Sequence, residues 1–267
     1  MIDSWQGGGE LSGRTALVTG AGRGLGRAIA CALAGAGAAV VLTSRTGSEL
    51  AETAGLVRAG GGTAVTVTAD VTDRDQVGEL YRAALDAAGQ VDIVVNNAGN
   101  LVLRPFAALP DGRGPREAPL SYDEWRSSHA VHLDGAFHVL QAFGPGMLAR
   151  GHGRVINIVS TSLGRAVGFT SAYDTAKAAL AQLTRSLAFE WARYGVSVNA
   201  IAAGQFPTAM TGHVHGTEAG TAWLKRRIPM RRAGQPAELG ELVVMLAGDR
   251  VPFLTGQVIA LDGGETL

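Results

Sequence analysis

Short apolar runs rich in β-branched residues recur along the chain, and they constrain its fold more than any other feature. Helical patterns lie between them, and most of the runs lack the strict alternation of a half-exposed strand. Buried strands that alternate with helices predict an α/β fold, a doubly wound parallel sheet of about seven strands with helices on both faces. The runs are 15–19, 38–43, 63–69, 91–96, 154–159, 196–201 and 257–261.

Neither an internal repeat nor a linker divides the chain. We therefore predict one domain over residues 11–267, preceded by a flexible tail at residues 1–10. Residues 109–120 are rich in proline, glycine and charge, which predicts an exposed loop. Residues 205–230 form a second irregular region after the sixth predicted strand. Loops at the carboxyl ends of parallel strands usually hold the ligand, so this region is a candidate part of a binding site.

The charge and cysteine content exclude several classes of function. The 23 basic and 23 acidic residues balance, which argues against nucleic acid or an anionic membrane surface as a partner. The chain contains no apolar run near the ~20 residues that span a bilayer and no secretory signal pattern. Its single cysteine, Cys31, allows no internal disulfide and predicts a buried structural thiol. We expect a cytoplasmic protein without a metal site.

A glycine-rich turn, VTGAGRGLGRA, follows the first predicted strand from residue 18. The pattern G-x-G-x-x-G fails at Leu25, but T-G-x-x-x-G-x-G is met by Thr19, Gly20, Gly24 and Gly26. Such glycines let backbone amides and a helix N-terminus approach a pyrophosphate. A glycine-rich turn alone can also be purely structural. Its place after the first strand favours a dinucleotide.

The end of the second predicted strand bears on which dinucleotide would bind. An acid there would accept hydrogen bonds from a ribose 2′-hydroxyl and indicate NAD. Ser44 stands at that position, Arg45 follows it, and Arg23 lies in the glycine turn. An arginine can pair with a 2′-phosphate, so we predict NADPH/NADP⁺ over NADH/NAD⁺. The alternative is that both arginines are simply solvated.

Tyr173 and Lys177 are four residues apart in SAYDTAKAAL, which places both on one face of a helix. Taken alone, such a pair is most often an ordinary surface feature. Together with the other motifs, however, it resembles the short single-domain branch of the short-chain dehydrogenase/reductase family, from Leu11 to the C-terminus. The motifs are TGAGRGLG (19–26), ADV (69–71), NNAG (96–99), Ser160, Y-x-x-x-K (173–177), VNAI (198–201) and LDGG (261–264).

The resemblance implies a Rossmann-like ketoreductase with a Ser–Tyr–Lys mechanism. Tyr173 would give a proton to the carbonyl oxygen, or take one in oxidation. Lys177 would bind the nicotinamide ribose and lower the pKa of the phenol. Ser160 would hydrogen-bond the substrate oxygen, with Thr161 and Ser162 as rivals.

The resemblance also implies further contacts with the cofactor. Asp70 would receive the adenine amino group and Val71 would offer its backbone amide. The backbone of NNAG would pass the adenosine ribose, although Asn97 could instead brace the sheet. Thr208 and the backbone of Phe206 would lie near the nicotinamide. The whole expected cofactor set is Thr19, Gly20, Arg23, Gly24, Leu25, Gly26, Ser44, Arg45, Asp70, Val71, Asn97, Ala98, Gly99, Tyr173, Lys177, Gly204, Phe206 and Thr208.

Two positions depart from the family pattern. His132 stands in AVHLDGAF where the family often has an asparagine that helps hold a water in the proton relay. A histidine can donate, accept and titrate near neutrality, so His132 is a tentative catalytic residue, and a packed, bracing histidine is the alternative. Ala203 replaces a proline before Gly204, which predicts a less rigid loop beside the nicotinamide.

Other groups have simpler interpretations. His213 and His215 are two residues apart, a spacing that metal ligands can have, but a loop without zinc is the preferred interpretation. The five basic residues of 224–232 could steer an anionic substrate linked to a carrier protein or coenzyme A, yet a solvated helix face is more typical. Small residues on the helix of Tyr173, together with the resemblance, imply a homo-oligomer, either a tetramer or a dimer.

The sequence thus predicts an enzyme that uses NADPH to reduce a ketone on a small molecule to a secondary alcohol. Three alternatives stay open: an NAD-linked secondary alcohol or 3-hydroxyacyl dehydrogenase working in oxidation, a nucleotide-binding sensor without turnover, and an epimerase or dehydratase of the longer branch. The identity of the ketone and the stereochemistry of the product are outside what these residues indicate.

Overall fold

A single parallel sheet forms the centre of the computed structural model, which describes residues 9–110, 118–208, 211–212 and 216–267. The strand order is β3-β2-β1-β4-β5-β6-β7, so the sheet is built outward in both directions from β1. Every pairing is parallel. The strands are β1 Thr15–Thr19, β2 Ala39–Ser44, β3 Ala64–Thr68, β4 Ile93–Asn96, β5 Gly153–Ser160, β6 Val196–Ala203 and β7 Val258–Leu261.

Helices connect the strands, and a π-helix joins two of them at Ala130–Asp134. The α-helices are α1 Gly24–Gly35, α2 Gly47–Ala59, α3 Arg74–Ala88, α4 Tyr122–His129, α5 Gly135–Arg150, α6 Ser171–Trp191, α7 Glu218–Arg227 and α8 Pro236–Ala247. None of the helices in the described ranges is both long enough and apolar enough to cross a membrane.

The core lies on both faces of the sheet, as expected for strands that read as apolar throughout. On one face α1, α2 and α8 bury residues such as Ile29, Leu50 and Leu239 against the strands. On the other face α3 and α5 contribute Leu80 and Met147, among others. The predicted doubly wound α/β class is therefore confirmed, and each predicted strand lies within a few residues of an observed one.

Four expectations need correction or stay open. Region 205–230 is not irregular throughout, because α7 occupies Glu218–Arg227 and its first turn is capped by the Thr217 hydroxyl, which accepts from Gly220 N at 3.0 Å. Most of the loop predicted at 109–120 and of the tail predicted at 1–10 lies outside the described residues, and the domain boundary at residue 11 stays a prediction.

A buried chain of amide and hydroxyl groups links the middle of the sheet to α6. Asn96 Nδ2 on β4 donates to Asn157 Oδ1 on β5 at 2.9 Å, and Asn157 Nδ2 donates to Thr184 Oγ1 at 2.9 Å. Thr184 in turn donates to the carbonyl of Leu180. Because unpaired polar groups are costly inside a protein, this chain specifies how α6 lies against β5.

Substitution of Asn157 tests that chain. In Asn157→Ala, the Asn96 amide loses its acceptor and Thr184 loses its donor in a dry environment. We expect a loss of about 2–4 kcal/mol in the free energy of unfolding, measured by urea denaturation. Gln182→Ala, on the exposed side of α6, is the control and should change stability by less than about 0.5 kcal/mol. Equal stability of the two variants would contradict a structural role for the chain.

Candidate functional site

The parallel register brings the carboxyl ends of the strands to one edge of the sheet. Thr19, Asn96 and Ser160 end β1, β4 and β5 at this edge. The connections leave β1 toward β2 on one side and reach β4 on the other, so the order of the sheet reverses at β1. Ligands of doubly wound folds bind in the crevice at such a reversal. The edge around β1 and β4 is therefore the candidate site.

The turn between β1 and α1 is held by close backbone packing. A methyl group at Gly26 would lie 2.1 Å from the carbonyl oxygen of Gly20, so only glycine fits there. Gly20 and Gly24 have φ angles of +64° and +55°, which favour glycine. The N-terminus of α1 opens onto this turn with no side-chain cap from Arg23 and no acid in its first turn. Uncapped backbone amides beside small residues are compatible with a pyrophosphate, and binding of a pyrophosphate at this turn stays a prediction.

Two side chains that the sequence analysis missed brace this turn from behind. Arg27 donates to the carbonyl of Gly22 through Nε at 3.1 Å and Nη2 at 2.6 Å. The Thr53 hydroxyl, on α2, lies 3.0 Å from the carbonyl oxygen of Ala21 and 3.1 Å from that of Gly22. The sequence could have indicated a bracing role only for Arg27, because Arg27 directly follows the glycine pattern, whereas Thr53 lies far along the chain.

Thr19 and Asn97 brace the site, and their predicted contacts with a cofactor stay predictions. Thr19 is buried, and its hydroxyl accepts from the backbone amides of Asn97 and Ala98 at 3.0 Å each. Asn97 Nδ2 donates to the carbonyl of Thr19 at 2.9 Å. These bonds favour the bracing alternative for Asn97, because they fasten the segment after β4 to the end of β1.

The two arginines expected to bind a 2′-phosphate both carry an acidic partner. Arg23 Nη1 lies 3.3 Å from Glu49 Oε1, and Arg45 Nη1 lies 3.7 Å from Asp70 Oδ2. Both guanidinium groups are exposed, at 68% and 78% of the side chain. Ser44 lies beside the glycine turn, where a methyl group at Gly22 would meet its hydroxyl at 3.2 Å. The charges of both arginines are thus partly balanced, and their predicted contact with a 2′-phosphate stays a prediction.

Asp70 and Val71 also have contacts within the chain. Asp70 Oδ1 accepts from the backbone amide and the hydroxyl of Thr72, at 2.9 and 2.8 Å. The carbonyl of Val71 bonds with the ring of His138 at 3.0 Å. Their predicted roles at the adenine are untested by these contacts.

Tyr173 and Lys177 lie on α6 above the end of β5, where the helical spacing predicted them. Lys177 is 4% exposed, and its Nζ donates to the carbonyl of Ile158 at 2.6 Å. The same Nζ lies 5.7 Å from the centre of the Tyr173 ring. Burial lowers the pKa of Lys177 from 10.5 to about 7.

Among Ser160, Thr161 and Ser162, Ser160 is the hydroxyl that influences the pKa of Tyr173, and its role at the substrate oxygen stays a prediction. Burial raises the pKa of the Tyr173 phenol above its ordinary value of 10.0, while the hydrogen bond with Ser160 opposes that rise. The pKa of Tyr173 is thus raised overall, because desolvation outweighs the contact with Ser160, and the expected lowering by Lys177 stays a prediction. Ser162 donates its backbone amide to Ser160 Oγ at 3.1 Å, so it positions Ser160.

His132 lies in the π-helix between α4 and α5 and packs edge-on against Tyr173, with ring centres 5.1 Å apart. The ring is 2% exposed, and its Nε2 lies 2.9 Å from the carbonyl oxygen of Asn100. A methyl group at Gly99 would come within 2.3 Å of the ring, which explains the glycine there. Burial and the neighbouring Lys177 hold the pKa of His132 well below 6.5. These contacts favour the bracing alternative, and a catalytic role for His132 stays a prediction.

The segment after β6 approaches the glycine turn from the other side. A methyl group at Gly24 would lie 3.6 Å from the Thr208 side chain. Phe206 is buried, and its carbonyl accepts from the Thr211 hydroxyl at 2.6 Å. Gly204, after Ala203, packs closely on Asp262, and Leu25 packs against the core. Thr208 is thus brought to the site as expected.

The basic segment 224–232 is not a free positive surface throughout. Arg227 pairs with the buried Glu265, and Arg232 pairs with Glu238 at 2.6 Å. His213 and His215 lie outside the described residues, so their interpretation as a loop without zinc stays a prediction.

Comparison with known proteins decides the family. A family model described as enoyl-(acyl carrier protein) reductase matches residues 20–266. The chain is 38% identical to 2-dehydro-3-deoxy-D-gluconate 5-dehydrogenase of Bacillus subtilis, over 96% of this chain and 95% of that protein. It belongs to the short-chain dehydrogenase/reductase family. The predicted enzyme class is therefore confirmed.

Two further relatives indicate the range of the family around this chain. Galactitol 2-dehydrogenase (L-tagatose-forming) of Cereibacter sphaeroides is 38% identical over 97% of both chains. The crystal structure of a gluconate 5-dehydrogenase from Burkholderia cenocepacia, in complex with NADP and tartrate, superposes with a TM-score of 0.87. It is 37% identical and covers 96% of both chains. The predicted cofactor is the one present in that solved relative.

The buried Lys177 predicts how stability depends on pH. Its pKa is about 7 in the folded chain and 10.5 ordinarily, so between these values the unfolded chain binds the additional proton. The free energy of unfolding should therefore rise with pH in this window, by about 2 kcal/mol between pH 7 and 9. Below pH 7 Lys177 is protonated in both the folded and the unfolded chain, so it no longer makes the free energy of unfolding depend on pH.

Lys177→Met isolates this effect, because the variant lacks the titrating group and keeps a long apolar stem. The measurement is urea denaturation of both proteins at pH 6, 7, 8 and 9. The difference between wild type and variant should grow above pH 7. Parallel curves for the two proteins over the whole range would refute the assignment to Lys177.

Proposed function

We propose that this protein is an NADP(H)-dependent oxidoreductase that interconverts a ketone and a secondary alcohol on a small molecule, and that its favoured direction is reduction. One observation carries the proposal: Tyr173 and the buried Lys177 lie together above β5, whose last residue is Ser160, at the strand edge that also holds the glycine turn. The cofactor supplies the hydride when bound. The side chains of the protein orient the carbonyl and provide the proton.

The protonation state of the Tyr173 phenol supports reduction as the proposed direction of the reaction. Because burial raises the pKa of Tyr173, the phenol holds its proton at neutral pH and suits the role of a donor. Ser160 and Tyr173 then polarise the same substrate oxygen, and the proton moves from Tyr173 to that oxygen as the alcohol forms. Lys177 Nζ lies 5.7 Å from the centre of the ring, where its charged form would stabilise the phenolate that is left.

The substrate class is proposed from the relatives. Their names include a dehydrogenase for a gluconate derivative and one for galactitol. We propose a polyhydroxylated substrate, a sugar acid or a sugar alcohol with its keto counterpart, for this chain as well. A ketone linked to a carrier protein or coenzyme A is the less favoured option, since two arginines of the basic segment are already in ion pairs.

A second candidate function is oxidation of a secondary alcohol with NAD⁺. The observation that favours it is the acidic partner on each of the two arginines. These carboxylates reduce the positive charge available to a 2′-phosphate. A cytoplasmic location stays our expectation for either function.

Tyr173→Phe tests the mechanism. The variant keeps the ring and its contact with His132 but has no proton to give. With NADPH and a panel of keto sugar acids, we expect kcat to fall about 10²–10⁴-fold, while the Kd for NADPH changes little. The assay follows NADPH absorbance, and nicotinamide fluorescence gives the Kd.

Tyr194→Phe is the matched control, because Tyr194 is an exposed tyrosine whose hydroxyl contacts only Arg193 among the described residues. It should retain wild-type kcat. Full activity in Tyr173→Phe would overturn the Ser–Tyr–Lys mechanism. Failure of the wild type to bind any nicotinamide nucleotide would overturn the proposed function as a whole.

We also propose that the protein works as a homo-oligomer. Phe189 on α6 is 91% exposed, and Phe137 on α5 is 51% exposed. Large apolar side chains on neighbouring helices are unusual on the surface of a monomer. Tetramer and dimer both remain compatible with this surface.

Phe189→Glu tests the proposed assembly. A charge at a buried contact between subunits is unfavourable, so the variant should shift toward a smaller species in analytical ultracentrifugation. Leu56→Glu, at an exposed apolar residue of α2, is the control and should sediment as the wild type does. A wild type that sediments as a monomer would refute the proposal.

A further inference from the structure

The adenosine end of the site holds an acid that the sequence motifs do not mark. Glu49 lies in the first turn of α2, five residues beyond the end of β2. The family pattern directs attention to the last residue of the second strand, which is Ser44. In space, however, both side chains reach the glycine turn. A methyl group at Gly22 would lie 3.1 Å from Glu49 Oε2 and 3.2 Å from Ser44 Oγ.

Glu49 is fixed in this place by the fold. Its backbone carbonyl accepts from the Thr53 hydroxyl at 3.1 Å, and that hydroxyl also reaches the carbonyls of the glycine turn. Its side chain is 29% exposed, whereas that of its partner Arg23 is 68% exposed. Arg23 is therefore the more solvent-accessible member of the pair, and the carboxylate of Glu49 is the less accessible one.

The charges at this end of the site nearly cancel. Arg23 and Arg45 contribute two positive charges, while Glu49 and Asp70 contribute two negative ones. A 2′-phosphate carries close to two negative charges at neutral pH, whereas the 2′-hydroxyl of NAD(H) carries none. To pair with a phosphate, Arg23 must leave Glu49, and the uncovered carboxylate then repels the phosphate. The 2′-hydroxyl of NAD(H) requires no break of the Arg23–Glu49 pair and is not repelled by the carboxylate.

We propose that Glu49 determines how strongly this protein prefers NADP(H) to NAD(H), by competing with the 2′-phosphate for Arg23. The inference rests on the proposed function, since it concerns the same nucleotide site. With Glu49 in place, the preference is moderate and both cofactors bind. Loss of the carboxylate should increase the preference for NADP(H) over NAD(H).

The experiment measures the Kd of NADPH and of NADH by nicotinamide fluorescence, without substrate, for wild type, Glu49→Gln and Glu49→Ala. We expect NADPH to bind about five- to tenfold more tightly to both variants, the scale of one unit charge near a solvent-exposed phosphate. NADH affinity should stay within about twofold, because its ribose carries no charge at the 2′ position. Thermal unfolding of each variant checks that α2 and the turn are intact.

Glu52→Gln is the matched control. It removes one negative charge from the same helix, but Glu52 pairs with Arg27 at 2.8 Å, whereas the acidic partner of Arg23 is Glu49. Both Kd values of this variant should stay within about twofold of wild type. Arg23→Gln should change the NADPH Kd in the opposite direction to the Glu49 variants, with weaker binding of NADPH and little change for NADH.

The outcomes separate the inference from the proposed function. A ratio of the two Kd values that is unchanged in both Glu49 variants would overturn the inference and leave the proposed function standing. An equal shift of the NADPH Kd in Glu52→Gln would also overturn the inference, since the shift would then be caused by the overall charge of the protein and not by Glu49. If wild type binds neither NADPH nor NADH, the proposed function fails, and the inference fails with it.

Discussion

The parallel pairing of β1 with β4 and of β4 with β5 is the constraint on which the rest of this structure depends. It places the glycine turn and Ser160 at one edge, although 140 residues separate Gly20 from Ser160 in the sequence. The buried amides of Asn96 and Asn157 then join those strands to α6. Through that chain the position of the Tyr173 helix is set by the centre of the sheet, and not by the exposed loops around the site.

The sequence was sufficient to predict the strands, the glycine turn and the face that carries Tyr173 and Lys177. These features repeat at short range, through apolar runs, a glycine spacing and a helical period. The bracing roles of Arg27 and Thr53 were missed, because they depend on how α2 packs beside the turn. The basic end of α7 was interpreted as a helix face, but the start of the helix was missed because its cap, Thr217, lies in a stretch rich in turn-forming residues.

The charge states at the site were the least predictable from sequence. Proximity suggested that Lys177 would lower the phenol pKa, yet the burial of Tyr173 has the larger effect. The same burial that raises the pKa of Tyr173 lowers those of Lys177 and His132. A motif gives the spacing of titratable groups, but only the packing around them gives the cost of their charges. His132 illustrates this, since its neutral ring lies between Gly99 and Tyr173 where a charged one would be unfavourable.

The separation of the two ends of the site has a consequence for how such an enzyme can diverge. The ion pairs of Arg23 and Arg45 involve β2, α2 and the segment after β3, on one side of β1. Ser160, Tyr173 and Lys177 belong to β5 and α6, on the other side. Under the proposed function, a substitution on the first side would therefore change which nicotinamide pool of the cell supplies the reaction while the reaction itself is preserved. Exposed charge pairs are easily replaced at little cost in stability, so the choice of metabolic supply is the more readily altered property of this fold.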